Sequence, residues 1–313
     1  MDGQGQSRDW SPATSVRECR AKRPCAFSLN SAAASWTLRT EPIASAALLG
    51  TMASSSLDTS WCQTELATEV VGRSIRYYPR IDSTNEQALR LAEAGAAEGT
   101  VVVADTQTAG RGRRGRRWRD EPGQALLFSV LLRPACEQSQ VAILSLGAAA
   151  ACAESLASEY SFPVTTKWPN DLLIAGHKVG GILLEQRGGA VVVGVGLNVN
   201  GRPESLQAQV GAALTTLEKH YGAPLPRKEV LVGILEKIDD IYQQFQGGKP
   251  AEVVGRYRRF EGVLGRSVRV RVGQEMVCGT ATALTDSGTL LVDTAEGQHE
   301  IAAGEVELVT GGE

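Results

Sequence analysis

The residues most able to do chemistry sit in "TAGRGRRGRRWRD" (108–120), where six arginines and three glycines share thirteen positions. Arginine offers a planar, permanently charged fork that fits phosphates and carboxylates. Glycine lets backbone bend and come close to a ligand. Such a stretch is a nucleic-acid patch, a loop that cradles an anion, or a solvated turn. The whole chain of 313 residues has a net charge of −3, so its basic charge is local. A nucleic-acid-binding domain usually carries a basic balance or a basic face, and that shifts the reading toward an anion-wrapping loop.

Gly110-Arg-Gly112-Arg-Arg-Gly115 matches G-x-G-x-x-G literally. The dinucleotide fingerprint also needs a preceding strand, a helix straight after, and an acid about twenty residues on. Here "RRWRDEPGQ" follows, charged and broken by Pro122 and Gly123, so the helix is missing. Four further polar stretches accompany the loop. "DSTN" puts Ser83, Thr84 and Asn85 where a strand gives way to a helix, as cap residues or as neutral donors and acceptors. "KWPND" holds Lys167, Asn170 and Asp171. "KVGG" sets Lys178 before Gly180 and Gly181, glycines that leave room beside a strand. "GVGLNVN" repeats the small residues and ends near Asn198.

These stretches need a frame. Residues 1–60 are rich in Ser, Ala and Thr and lack periodicity. Three readings apply: a disordered tail, an Arg- and Ser-rich transit peptide, or an upstream extension before a start at Met52. From residue 61 the sequence is predicted to fold. Strands are expected at "SIRYYPRI" (74–81), "TVVVADTQ" (100–107) and "ALLFSVLLRP" (125–134). Helices are expected at 82–95 and, Ala-rich and buried, at 141–160. "VTTKW", "LLIAG", "KVGGILLEQR" and "AVVVGVGLNVN" read as successive strands, and two hairpins in a row predict a largely antiparallel, mixed sheet. Helices follow at "LQAQVGAALTTLEKHYG" (206–222), "RKEVLVGILEKIDDIYQQFQ" and 250–261. The last fifty or so residues, with short strands between Gly-containing turns, read as a small β-barrel. This gives an α+β chain: an extension over 1–60, a catalytic domain over 61–261 and a barrel over 262–313.

The six cysteines show no C-x-x-C spacing and no histidine at metal-ligand spacing, and those after residue 60 are expected as reduced thiols. No run of eighteen apolar residues predicts a membrane span.

Taken in order and at these separations, "DSTN", "QTAGRGRRGRRW", "KWPND", "KVGGILLE" and "GVGLNVN" resemble the biotin protein ligases, over about residues 74–310. The resemblance implies a class II synthetase-like biotin/lipoate ligase fold with an SH3-like C-terminal barrel. It implies activation of biotin by ATP and Mg²⁺ as biotinyl-5′-adenylate. Transfer to one lysine of a biotin carboxyl carrier domain follows, such as that of acetyl-CoA carboxylase. By the same resemblance, Ser83, Thr84, Asn85, Gln107, Gly110, Arg111, Gly112, Arg113, Lys178 and Gly181 contact biotin. Arg111, Arg113, Arg114, Trp118, Lys167, Asn170, Asp171 and Asn198 serve ATP or the adenylate. Lys178 and Arg113 are the expected catalytic pair, and no metal ligands are assigned. Some family members carry an N-terminal winged helix and act as repressors. Residues 1–70 show no pair of helices with a turn, so a ligase without DNA binding is expected. The rivals are a lipoate ligase of the same superfamily and a non-catalytic regulator that senses biotinyl-adenylate or nucleic acid. A homodimer through a sheet edge near 185–197 is a hypothesis, and cytoplasm is the default location, with an organelle as the alternative.

Overall fold

The computed structural model describes residues 57–202 and 213–309. The expectation for residues 1–56 therefore lies outside the described residues. Leu57 is already buried, and α1 (Thr59–Glu65) follows with Asp58 as its cap.

The centre is a seven-stranded sheet in the order β1-β2-β3-β7-β6-β5-β4. Its strands are β1 (Ser74–Tyr78), β2 (Thr100–Ala104), β3 (Ala125–Leu132), β4 (Val164–Lys167), β5 (Asp171–Ile174), β6 (His177–Arg187) and β7 (Ala190–Asn198). Only β1 and β2 pair in parallel, and the helix α2 (Thr84–Glu93) joins them. Every other neighbour is antiparallel, as the two hairpins predict. β3 is buried at every position, and its unbroken apolar run is what a strand covered on both faces requires. On one face α2 packs through Ala88 and Leu89 onto Val102, Leu131 and Val192.

The other face carries α3 (Ile143–Tyr160), α5 (Arg227–Gln246) and α6 (Pro250–Arg258). α3 is long and apolar enough to cross a membrane, but it is mostly buried in this core. On α5, burial raises the pKa of Asp239. Backbone N–H donors of Val71, Glu69 and Val70, with Gln243, outweigh that and hold it below the ordinary aspartate range. A lowered carboxylate stabilises above its unfolded value, so this contribution is present above about pH 4 and lost as pH falls through the folded value. Asp239→Ala is expected to cost about 2–3 kcal/mol, because it strands three backbone donors. Urea unfolding at pH 7 and pH 3 measures it, and an equal cost at both values would count against the assignment.

The sequence-based helix over 206–222 is corrected in part. Residues 203–212 lie outside the described residues. Residues 213–216 run extended, with Leu214 bridged to Lys178, and α4 covers only Leu217–Tyr221. Thr216 caps it with its hydroxyl, which fixes the start.

The last strands are β8 (Ser267–Val272), β9 (Glu275–Leu284), β10 (Leu290–Thr294), β11 (Gly297–Ile301) and β12 (Glu305–Leu308), in the antiparallel order β11-β10-β9-β8-β12. Residues 297–308 thus form two strands, broken at 302–304. This small sheet is tied to the larger one. The indole of Trp168 donates to the Gly288 carbonyl at 3.0 Å, and Arg258 bonds Asp286 and the Leu284 carbonyl.

The expected free edge near 185–197 is only half present. β7 lies between β3 and β6. β6, however, outruns β5, whose pairing ends at Gly181, so 183–187 has a strand neighbour on one side only among the described residues.

Candidate active site

The arginine loop leaves the end of β2 and returns before β3. Two backbone bonds close it, Trp118 N–H to Gly110 O and Gly112 N–H to Arg116 O, and the Thr106 hydroxyl donates to the Asp120 carboxylate. Its tip turns through the left-handed region at Arg114 (φ 54°) and Gly115 (φ 74°). The loop is therefore a folded hairpin laid beside the sheet.

It forms one wall of a cavity of about 590 Å³. The cavity is lined by all six loop arginines, Trp118, Lys167, Asn170, Asp171, Lys178, Gly181 and Asn198, and by Leu214 and Glu305. Its electrostatics are strongly cationic. Lys178 Nζ lies 2.5 Å from Asp171 Oδ1, and Lys167 Nζ lies 3.5 Å from Oδ2 of the same carboxylate. Arg113 Nη1 donates to Asn170 Oδ1 at 3.0 Å. Burial, then Arg114, lowers the pKa of Arg113, with Asp171 pulling the other way. A cation crowded by others gains most from an incoming anion. Asn198 is buried and donates to the Thr215 carbonyl, so it braces the extended segment that carries Leu214 to the cavity.

A second, narrow space of about 30 Å³ adjoins the first and shares Arg111, Trp118, Gly181 and Leu183 with it. Ser83, Thr84, Asn85 and Gln107 line it, with Gly194 and Gly196 on β7. Ser83 caps α2, its oxygen accepting from Glu86 N–H. Gln107 Oε1 accepts from Thr84 N–H at 2.8 Å and from its hydroxyl at 3.2 Å. Apart from Arg111, the polar groups here are uncharged. The indole of Trp118 lies on Gly196, where an added Cβ would come within 2.8 Å of Cε2 and Cζ2. Its Nε1 is buried and has no hydrogen-bond partner. Trp118 thus narrows the neutral end.

Of the site residues singled out in the sequence, all but Gly110 line one of the two spaces; Gly110 lies behind them, against the Trp118 backbone and Gln107. Gly180 also stands apart from them, since its missing side chain makes way for the Gly196 carbonyl and Leu197. The sequence reading missed three acids. Glu86 and Glu185 flank Arg111, at 3.1 Å from Nη1 and 2.9 Å from Nη2. Glu305, on β12, pairs with Arg116 and lies 3.8 Å from Arg114, whose Nη2 also donates to the Arg271 carbonyl. "KVGGILLE" contains Glu185, but no spacing rule links an acid on a strand to a loop seventy residues earlier. Glu305→Ala is expected to raise the KM for the nucleotide about two- to fivefold, the range for loss of partly exposed ion pairs. Steady-state kinetics in each substrate checks it, and an equal rise for both substrates would remove Glu305 as a latch on the nucleotide side.

Comparison with known proteins agrees with this geometry. Residues 77–201 match the biotin/lipoate A/B protein ligase family, and residues 263–309 match the biotin protein ligase C-terminal domain. The bifunctional ligase/repressor BirA of Bacillus subtilis is 34% identical over 250 residues, covering 78% of this chain and 76% of its own. The chain belongs to the biotin protein ligase family. The biotin–[acetyl-CoA-carboxylase] ligase of Mycobacterium tuberculosis is 33% identical, over 75% of this chain and 88% of its own. The biotin protein ligase of Aquifex aeolicus, solved with biotin and ATP, superposes with a TM-score of 0.66 at 34% identity, covering 76% of this chain and all of that one. In this ligase the family's two matched regions are the large sheet with its loop and the small sheet that holds Glu305.

Proposed function

We propose that the chain activates biotin with ATP as biotinyl-5′-adenylate and transfers the biotinyl group to a lysine of a carrier domain. One observation carries this reading. A narrow space lined largely by neutral donors and acceptors opens into a wide cationic cavity, and four residues are common to both. Biotin's ureido ring is neutral and its tail ends in a carboxylate, while ATP is a polyanion. The carboxylate oxygen attacks the α-phosphorus and pyrophosphate leaves. The carrier amine then attacks the acyl carbon and AMP leaves. Two anions must meet in the first step. Lys178 and Arg113 offset that repulsion and hold the reactants in line. Trp118 and the closed hairpin keep water from the mixed anhydride. Arg111, turned to two carboxylates, anchors the loop.

Among the described residues no three metal-binding side chains come together. Asp171 is engaged by two lysines, and Asn170 Oδ1 by Arg113. This donor set suits Mg²⁺ carried in on the triphosphate, as part of the substrate, better than an all-protein cage.

Pyrophosphate release with MgATP and either biotin or lipoate tests the reading. Release with biotin, and labelling of a carrier domain, is expected. Release with lipoate alone would turn it to the sister activity. Release with neither would leave a binding protein, and salt-dependent retention of an oligonucleotide would then favour a nucleic-acid regulator. The one-sided edge at 183–187 supports self-association, which gel filtration with and without biotin and ATP tests.

A further inference from the structure

Hydrogen bonds and one ion pair, meeting at Glu185, link the arginine loop to the floor of the neutral space. Ser129, fully buried on β3, donates to Asn85 Oδ1 at 2.6 Å. Asn85 Nδ2 donates to the Leu183 carbonyl at 3.1 Å and to Glu185 Oε2 at 2.8 Å. The same Glu185 oxygen lies 2.9 Å from Arg111 Nη2. Both amide protons of Asn85 are therefore used inside the protein, and Ser129 fixes which way the amide faces. The residue expected to touch the ligand is held by others. Glu86 also pairs with Arg111, but its other partners are Arg187 and Arg90, not Asn85. Two carboxylates thus hold the same guanidinium, and only one of them reaches the floor.

We infer that Glu185 is the positioning residue that couples closure of the arginine loop to the geometry of the biotin floor. When Arg111 sits on Glu185, the carboxylate is oriented toward Asn85 and the amide is locked with it. When the loop lifts, Glu185 loses that partner and Asn85 gains freedom to turn. Biotin affinity and loop closure then rise together, because each favours the same arrangement of one carboxylate. Of the nucleotide half this chain of contacts meets only Arg111, while Lys178, Lys167 and Asp171 pair with one another.

This inference rests on the ligase reading, and wild-type biotin-dependent pyrophosphate release is the arm that tests that reading separately. The variants are Glu185→Gln and Glu86→Gln, each compared with wild type for melting temperature and for KM and kcat in each substrate. Charge-assisted hydrogen bonds of this kind support an effect of about tenfold. Glu185→Gln is expected to raise the KM for biotin about tenfold, with the KM for ATP within about twofold and kcat within about threefold. Glu86→Gln should raise the KM for biotin by less, since it loosens the loop without touching the floor. In Arg111→Ala, adding Glu185→Gln should change the KM for biotin less than it does in wild type, because the coupling partner is gone. The inference is overturned if Glu185→Gln, with an unchanged melting temperature, leaves the KM for biotin unaltered. It is equally overturned if the change falls on kcat or on the KM for ATP, or if Glu86→Gln has the same effect. A lowered melting temperature with both KM values unchanged would make Glu185 structural only.

Discussion

Replacing Lys178 by alanine is expected to lower biotin-dependent pyrophosphate release by about two to three orders of magnitude, the usual cost of removing a donor aimed at developing charge. Lys178 Nζ is held at 2.5 Å by Asp171, on the cavity wall. Its loss removes a cation and also exposes a carboxylate. Asp171 would then face incoming phosphate with Lys167, at 3.5 Å, as its remaining ion pair. Lys178→Arg is not expected to restore the rate, because a planar guanidinium fork is wider than an ammonium and does not present a compact point charge. The side chain is partly exposed, so the melting temperature should hold. Single-turnover adenylation beside a thermal melt decides the matter. A rate within threefold of wild type in folded protein would take Lys178 out of the chemistry.

Gly194→Ala is the second large expectation. An added Cβ there would stand 2.0 Å from Asn85 Oδ1 and 2.8 Å from its Cγ. A flexible side chain would swing aside, but this amide is fixed from three directions by Ser129, Leu183 and Glu185. One methyl group therefore expels Asn85 and strands the buried Ser129 hydroxyl. Overpacking and an unpaired buried donor together cost about 2–4 kcal/mol. That corresponds to roughly 5–12 °C in melting temperature for a domain of this size. The KM for biotin should rise at least about tenfold, while the KM for ATP changes less. Calorimetry and biotin titration measure both, and a variant that melts normally and binds biotin normally would contradict the tight floor.

The sequence made the frame readable where one force dominated. α5 runs over Arg227–Gln246, as its periodicity predicts, because one face meets the core and the other meets water. β3 is legible because a strand covered on both faces has no polar alternation to confuse it. Residues 213–216 misled because tertiary pairing overrides helix propensity there, and Leu214 pairs with Lys178. The site's cations were visible as composition, but their partners were not. Glu86, Glu185 and Glu305 reach the loop from three different elements, and only the folded chain shows which acid meets which arginine. The seat of Trp118 on Gly196 was hidden for the same reason.

The latch at Glu305 has a consequence for how the protein comes into being. Arg114 reaches across 157 residues to the Arg271 carbonyl, and Glu305 lies beyond even that. On the ribosome, "DSTN" and the arginine hairpin emerge early, and the acids that restrain them emerge in turn from β6 and then β12. Arg111 already has Glu86 beside it, but Arg114 and Arg116 wait for Glu305, and the cavity lacks that part of its wall until β12 is released. Order of synthesis thus delays completion of the nucleotide side of the cavity until β12, which carries Glu305, has been made.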